Sequence, residues 1–363
     1  MKTIYLLFSL LLVQTVMAQS EINCLPDNEG YDVILVAGQS NTHYGYPLDT
    51  ALDTVNSRIY SLNRHNGKDY RIETAQPALD FWTKQTNRNS FAITFSNLYV
   101  NNLLNHSKRK VLLIPCGYAG SSITSWTKNQ NLYTDAMNRV NYILNNAPGS
   151  RLVAILWHQG EANVGWGPYQ ATLDQMIADM RSDIEQNNIQ EIPFILGGMV
   201  PYWVNSNSSR KQQQQIIKNT PDRVINTGYA DSESPSVITK PNNANDDIHF
   251  DAAGQREMGQ RYFNTYIKMK AVALKLTINR YHEVEYSTSN SKLIPIDKID
   301  IVSNKNLQTA IVYNSDNQIV LAVNNINTNS VTVHVQELPL DNQPYKLQLI
   351  DDYGFVHDYK FYR

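Results

Sequence analysis

The sequence predicts a three-layer α/β/α domain on a central parallel sheet, followed by a small C-terminal β domain of sandwich type. Three observations carry that expectation. Short apolar runs at 33–37, 111–115 and 152–157 each lead into a polar or glycine-bearing turn, as strands buried on both faces do. Stretches of helical spacing separate them, so strand and helix alternate as in βαβ units. From about Val272 the helical spacing ends, and Val331, Val333 and Val335 alternate with polar residues.

In chain order, residues 1–18 read as a secretory signal peptide: Lys2, an apolar stretch over 4–17, and a small-residue site ending at Ala18. No later run is apolar and long enough for a membrane span, so an exported protein is expected, whether periplasmic, cell-surface or extracellular. The division expected is 19–271 for the α/β domain and 272–363 for the β domain. The first strand, 33–37, runs into Gly38-Gln39-Ser40-Asn41. Residues 42–89 are polar and irregular apart from a strand at 59–62, and a loop of that length usually shapes a binding site. Helices are expected over 91–106, 132–146 and from Pro168 onward, the last with Leu173, Met176, Ile177, Met180 and Ile184 on one face. Strands at 194–199 and 224–228 flank a helix at 210–219, and a final helix covers 252–270. In the β domain, 319–323 is a strand and Ser315-Asp316-Asn317 a turn.

A net charge of −2, a charged fraction of 18% and the lack of a basic block argue against a nucleic-acid partner. The 22 tyrosines and five tryptophans lean slightly toward carbohydrate, because aromatic rings stack on sugar faces. Cys24 and Cys116 could pair after export. Cys116 ends an apolar run, however, and reads rather as a small buried hydrophobe.

The chemistry-bearing residues sit at strand ends. Ser40 follows the first strand where open α/β sheets place their ligands, and a serine there can act as a nucleophile if a base takes its proton. His249 is the candidate base, with Asp246 three residues earlier to orient its ring; Asp247 and Asp251 are rival orienters. An oxyanion needs preset donors. The glycine-rich turn at 117–120 offers backbone N–H groups, and Gln159, after the third strand, offers a side-chain amide.

Four blocks in order, GQSN at 38–41, IPCGYAGSSITSW at 114–126, WHQGE at 157–161 and DDIHFDAAG at 246–254, resemble the SGNH hydrolase superfamily. The likeness is to its branch of acetylxylan esterases and sialic-acid O-acetylesterase-like proteins. The resemblance implies a flavodoxin-like sheet order and an esterase acting on O-acetylated carbohydrate, with no metal and no cofactor. It further implies Ser40 as nucleophile, His249 as base and Asp246 as orienter. The oxyanion hole would come from the Ser40 and Gly120 amides with Gln159, and Gln39, Asn41 and Glu161 would contact substrate. Two departures bear on substrate preference: Thr42-His43 replaces the methionine and small residue that often follow GQSN, and Asn163 stands where an acidic residue often follows the third block. Both are expected at the pocket rim.

Two other readings stay open. His158, Glu161, Asp246, Asp247 and His249 could ligate a metal in a metal-dependent deacetylase, although no H-x-x-x-H or H-E-x-x-H anchors such a site. A glycan-binding protein could keep the scaffold without turnover. In the last region, residues 331–340, Tyr345-Lys346-Leu347, Asp352-Tyr353-Gly354 and Lys360-Phe361 resemble the sorting domains of the type IX secretion system, with Asn342-Gln343 where glycine usually precedes the tyrosine. That resemblance implies secretion machinery as a partner; the rival is a carbohydrate-binding or purely structural sandwich.

Overall fold

A computed structural model of the protein describes residues 30–104, 107–240, 246–273, 276–281, 298–339, 343–351 and 356–361. The expected signal peptide and Cys24 lie outside these residues. In chain order the first domain comprises β1 (Tyr31–Gly38), β2 (Ile59–Leu62), β3 (Ile72–Thr74), α1 (Phe91–Leu103), β4 (Lys110–Pro115), α2 (Asn131–Asn146) and β5 (Arg151–His158). It continues with α3 (Tyr169–Asp183), β6 (Phe194–Gly197), α4 (Pro201–Asn205), α5 (Ser208–Lys218), β7 (Thr227–Ala230) and α6 (Ala252–Ala273).

These strands form one sheet in the order β3-β2-β4-β1-β5-β6-β7, parallel throughout except for β3, which pairs antiparallel with β2. Every residue of β1 is buried, because β4 and β5 flank it and helices cover both faces. The chain leaves β4 on one side of β1 and returns as β5 on the other. That reversal opens a crevice at the carboxyl ends of the strands, where ligands of such sheets bind.

On one face α1 and α6 pack together through stacked Phe91 and Tyr262, 4.3 Å between ring centres, and through Phe95 edge-on to Phe263. Gly259 permits this approach: a Cβ there would lie 2.5 Å from the Phe91 carbonyl oxygen. Ser90 starts α1 by accepting a hydrogen bond from the Ala92 amide, so the irregular stretch ends where a cap residue stands.

The structure differs from expectation in three elements. The strand expected at 224–228 begins only at Thr227, because Thr220 to Asp222 form a 3-10 turn that carries Val224 in its last hydrogen bond. α4 and β3 were not expected, and both are too short to show a period. The second domain, β8 (Leu276–Tyr281), β9 (Lys298–Tyr313), β10 (Ile319–His334), β11 (Tyr345–Asp351) and β12 (Val356–Phe361), is antiparallel β as expected, with these strands joined by hydrogen bonds in the order β10-β9-β11-β12 and β8 on β9. β9 and β10 are 16 residues each, so β8 and β11 share one edge of β9, pairing with its first and second halves. Ile299, Ile301, Val312, Val333, Leu347 and Phe361 form its own apolar cluster.

Candidate active site

β1 ends at Gly38, whose φ of +125° no side chain tolerates readily and whose Cβ would lie 2.1 Å from the His158 carbonyl oxygen. The chain therefore turns sharply against β5, with the Gln39 amide donating to that carbonyl at 2.8 Å. Ser40 opens the short 3-10 turn that follows. Its Oγ is 2.8 Å from Nε2 of His249, on the loop that precedes α6. Nδ1 of His249 is 2.9 and 3.1 Å from the two carboxylate oxygens of Asp246, one of which also accepts from the His249 amide at 3.2 Å. Serine, imidazole and carboxylate thus form one unbroken relay across 209 residues of sequence.

Asp246 is the carboxylate that meets the His249 ring, and its rivals are placed elsewhere. Asp247 is exposed, and Asp251 accepts from the Gly254 amide at 2.7 Å at the start of α6. Burial pushes the Asp246 carboxyl up, but the charge and hydrogen bonds of His249 outweigh this and hold it below 3.8. It remains a carboxylate at neutral pH. The loop is held from behind by the Tyr202 hydroxyl, which donates to the His249 carbonyl at 2.7 Å, and by the Lys240 ammonium on the Asp246 carbonyl.

The residues expected to contact substrate are buried and bonded within the protein. Asn41 is 0% exposed, and its amide donates to Glu161 at 2.6 Å and to the Ile248 carbonyl at 2.9 Å while its oxygen accepts from the Phe250 amide at 3.1 Å. It grips the two residues that flank His249. Glu161, itself buried, anchors that amide and lies 3.7 Å from Nε2 of His158. Burial raises the Glu161 pKa, and the facing His158 and Asn41 groups pull it down to below the ordinary value. Gln39 is buried too, accepting from the Ala162 amide at 3.2 Å. All three join the loops around Ser40 and His249.

Gln159 also departs from expectation. Its amide nitrogen donates to the Ser121 carbonyl at 3.2 Å and to Asn163 Oδ1 at 2.6 Å, so both hydrogens are engaged. The orientation is fixed, because Asn163 Oδ1 must accept from the Ile123 amide at 2.8 Å. Gln159 therefore pins the loop that carries Gly120. That loop docks on β1 through the Tyr118 amide and the Gly38 carbonyl, 2.9 Å apart. Gly120 has a φ of +69°, and its amide and that of Ser40 have no protein acceptor among the described residues.

The departures at 42–43 and 163 are likewise interior and not at the rim: Thr42 is fully buried, His43 stacks on Phe81 with ring centres 4.3 Å apart, and Asn163 is buried. Burial lowers the His43 pKa to about 3, so it is neutral and does not compete with His249 as a base. Tyr44, which the sequence reading did not single out, lays its ring against His249 at 4.8 Å. His158 and Glu161 face each other in the interior, and among the described residues no three His, Cys, Asp or Glu side chains converge as a metal site would require. Cys116 is buried, with its thiol pushed up to about 12 by that burial.

Residues 30–268 match the model of a family described as carbohydrate esterase, sialic acid-specific acetylesterase. The chain belongs to that family. A protein of Arabidopsis thaliana described as a probable carbohydrate esterase is 28% identical over 107 residues, which is 28% of this chain and 39% of that relative. Its solved structure superposes with a TM-score of 0.55 at 20% identity, covering 66% of this chain and 98% of that one. The crystal structure of NanS gives a TM-score of 0.58 at 18% identity, over 67% and 98% of the two chains. At these identities the likeness is one of fold.

Proposed function

We propose that the protein is a serine esterase that removes O-acetyl groups from carbohydrate, such as acetylated xylan or sialic acid, through an acetyl-enzyme on Ser40. The observation that carries this reading is the continuous Ser40, His249 and Asp246 relay at the strand-end crevice. His249 Nε2 takes the Ser40 proton as Oγ attacks the acetyl carbonyl. The oxyanion forms beside the Ser40 and Gly120 amides. Collapse expels the sugar oxygen, which takes the proton back from His249, and water then repeats the cycle on the acetyl-enzyme. Asp246 keeps Nδ1 protonated and stabilises the imidazolium.

Chromogenic acetate ester hydrolysis by purified protein checks this. Ser40→Ala and His249→Ala should each lose several decades of kcat while retaining the wild-type melting temperature. Near-wild-type turnover by Ser40→Ala would move the nucleophile elsewhere, and a wild-type protein that binds glycans without turnover would favour the binding role.

Export follows from the signal-peptide reading and is part of the proposal. For the C-terminal region the proposal is the sorting role its resemblance implies. A truncation ending at Lys270 should then be retained in the periplasm while the full chain passes outside the cell.

A further inference from the structure

A second hollow lies against β2 and β3, at one edge of the large sheet. It is a cavity of about 320 Å³ whose wall includes Ser61, Asn63, Glu73, Leu79, Asp80 and Lys84. Ser61 of β2 faces Glu73 of β3 in the antiparallel pair, so their side chains share one face of the sheet. On its other side Ser61 is level with Leu113 of β4, which is level with Ile34 of β1. The hollow is therefore set two strand spacings, roughly 10 Å, to the side of β1 and level with its middle, away from the end where Ser40 stands.

Its polar groups are left unmet in one pattern. Asp80 accepts the Arg64 and His65 amides on Oδ2, both at 2.9 Å, while its buried Oδ1 accepts no hydrogen bond and lies 3.5 Å from Lys84 Nζ. Glu73 accepts Asn63 Nδ2 and Lys68 Nζ on Oε2, both at 2.8 Å, with no donor on Oε1 among the described residues. Ser61 is 3% exposed, and its Oγ has no partner among the described residues. Burial pushes the Asp80 carboxyl up, and the two amides outweigh this and hold it below 3.8, so at neutral pH it accepts and does not donate. A buried acceptor without a donor is destabilising until a ligand supplies one.

What fits must donate to those carboxylate oxygens. A phosphate or a carboxylate brings chiefly acceptors. A metal or ammonium ion brings a positive charge that Lys68 and Lys84, each already beside one of the two carboxylates, supply. Hydroxyls on a ring donate without charge, and the Ser61 hydroxyl can donate back to one of them. Ala78 and Leu79 complete the wall with an apolar patch for the C–H face of such a ring. The volume is at the lower end for small-molecule pockets and suits a single sugar ring.

We infer that the hollow formed by Ser61, Glu73 and Asp80 is a binding site for a neutral, polyhydroxylated ring, a pyranose unit that is held without reacting. The site is separate from the crevice at Ser40, and it stands whether or not the esterase reading holds, because none of its groups belongs to the relay.

The test titrates methyl xyloside, methyl glucoside and methyl galactoside, which carry neither an acetyl group nor a charge, into the full chain by calorimetry. Inorganic phosphate and calcium chloride are titrated alongside. At least one pyranoside should bind with a dissociation constant in the millimolar range or tighter, and neither salt should bind. Ser61→Ala and Glu73→Gln should each weaken the pyranoside by about five- to tenfold, the scale of one lost hydrogen bond. Both variants should keep the melting temperature and the hydrolysis of a chromogenic acetate, since Ser61 Oγ has no protein partner and Glu73 is half-exposed. Failure of all three pyranosides to bind overturns the inference, and so does binding that both variants leave unchanged, which would place the sugar elsewhere. Binding of phosphate or calcium that is lost in the same variants would assign the hollow to an ion and overturn it as well.

Discussion

Asn41 shows how much of the chemistry depends on a residue that grips the loop around the base. It adjoins the nucleophile in sequence, and its side chain holds the Ile248 carbonyl and the Phe250 amide on either side of the base. Asn41→Ala removes that grip, and a misplacement of about 1 Å in a catalytic base costs on the order of a hundredfold in rate. The loss is expected in kcat, with KM nearly unchanged. A rise in KM at constant kcat would mean that Asn41 touches substrate after all. At this scale the sequence disclosed the serine, histidine and aspartate through their residue types and order. It did not disclose that Asn41, Glu161, Gln39 and Gln159 are buried and bonded between loops, because a buried polar side chain and a substrate-facing one look alike in one dimension. Tyr44 gave no signal, being an ordinary aromatic residue in an irregular stretch.

Among the elements, β1 bears the heaviest demand, since it leads into Ser40 at one end and carries a buried carboxylate near the other. Asp32 is fully buried, yet it meets Nε of Arg109 and of Arg151 at 2.8 Å each and the Tyr99 hydroxyl at 2.9 Å. Burial raises its pKa, and the two guanidinium charges pull it to below the usual carboxylate value. Asp32→Asn is expected to destabilise the fold by about 3 kcal/mol, the scale for breaking a buried ion pair. Urea unfolding reads this directly, and an unchanged midpoint would show that the two arginines find water at no cost. The parallel strands and long helices were legible because their apolar periods are long. β3 and α4 were not, being too short to show one, and in β8 to β12 alternation reveals a buried face without revealing how strands pair.

For the whole molecule, His43 and Asp32 make stability depend on pH in the same direction. The folded pKa of His43, about 3, lies below its ordinary 6.5, so the unfolded chain binds the proton first and stability falls as pH drops from 6.5 toward 3. Asp32 has a lowered folded value, so its contribution is present above the ordinary carboxylate range and is lost as pH falls below it. The melting temperature should therefore begin to fall below about pH 6.5, before carboxylates titrate. His43→Phe, which keeps the stacking on Phe81, should flatten the upper part of that fall. An unaltered profile in the variant would assign the acid sensitivity to other groups.

Covalent trapping of the nucleophile tests the central claim most directly, because it asks whether Ser40 is activated by His249. An arylphosphonate ester is incubated with the whole protein, with and without EDTA, and the adduct is located by peptide mass spectrometry while residual esterase activity is followed. The account predicts one adduct, on Ser40, formed in step with the loss of activity, unaffected by EDTA and absent from His249→Ala. Full activity in protein that is fully labelled at Ser40, or labelling at another residue in step with inactivation, would contradict it.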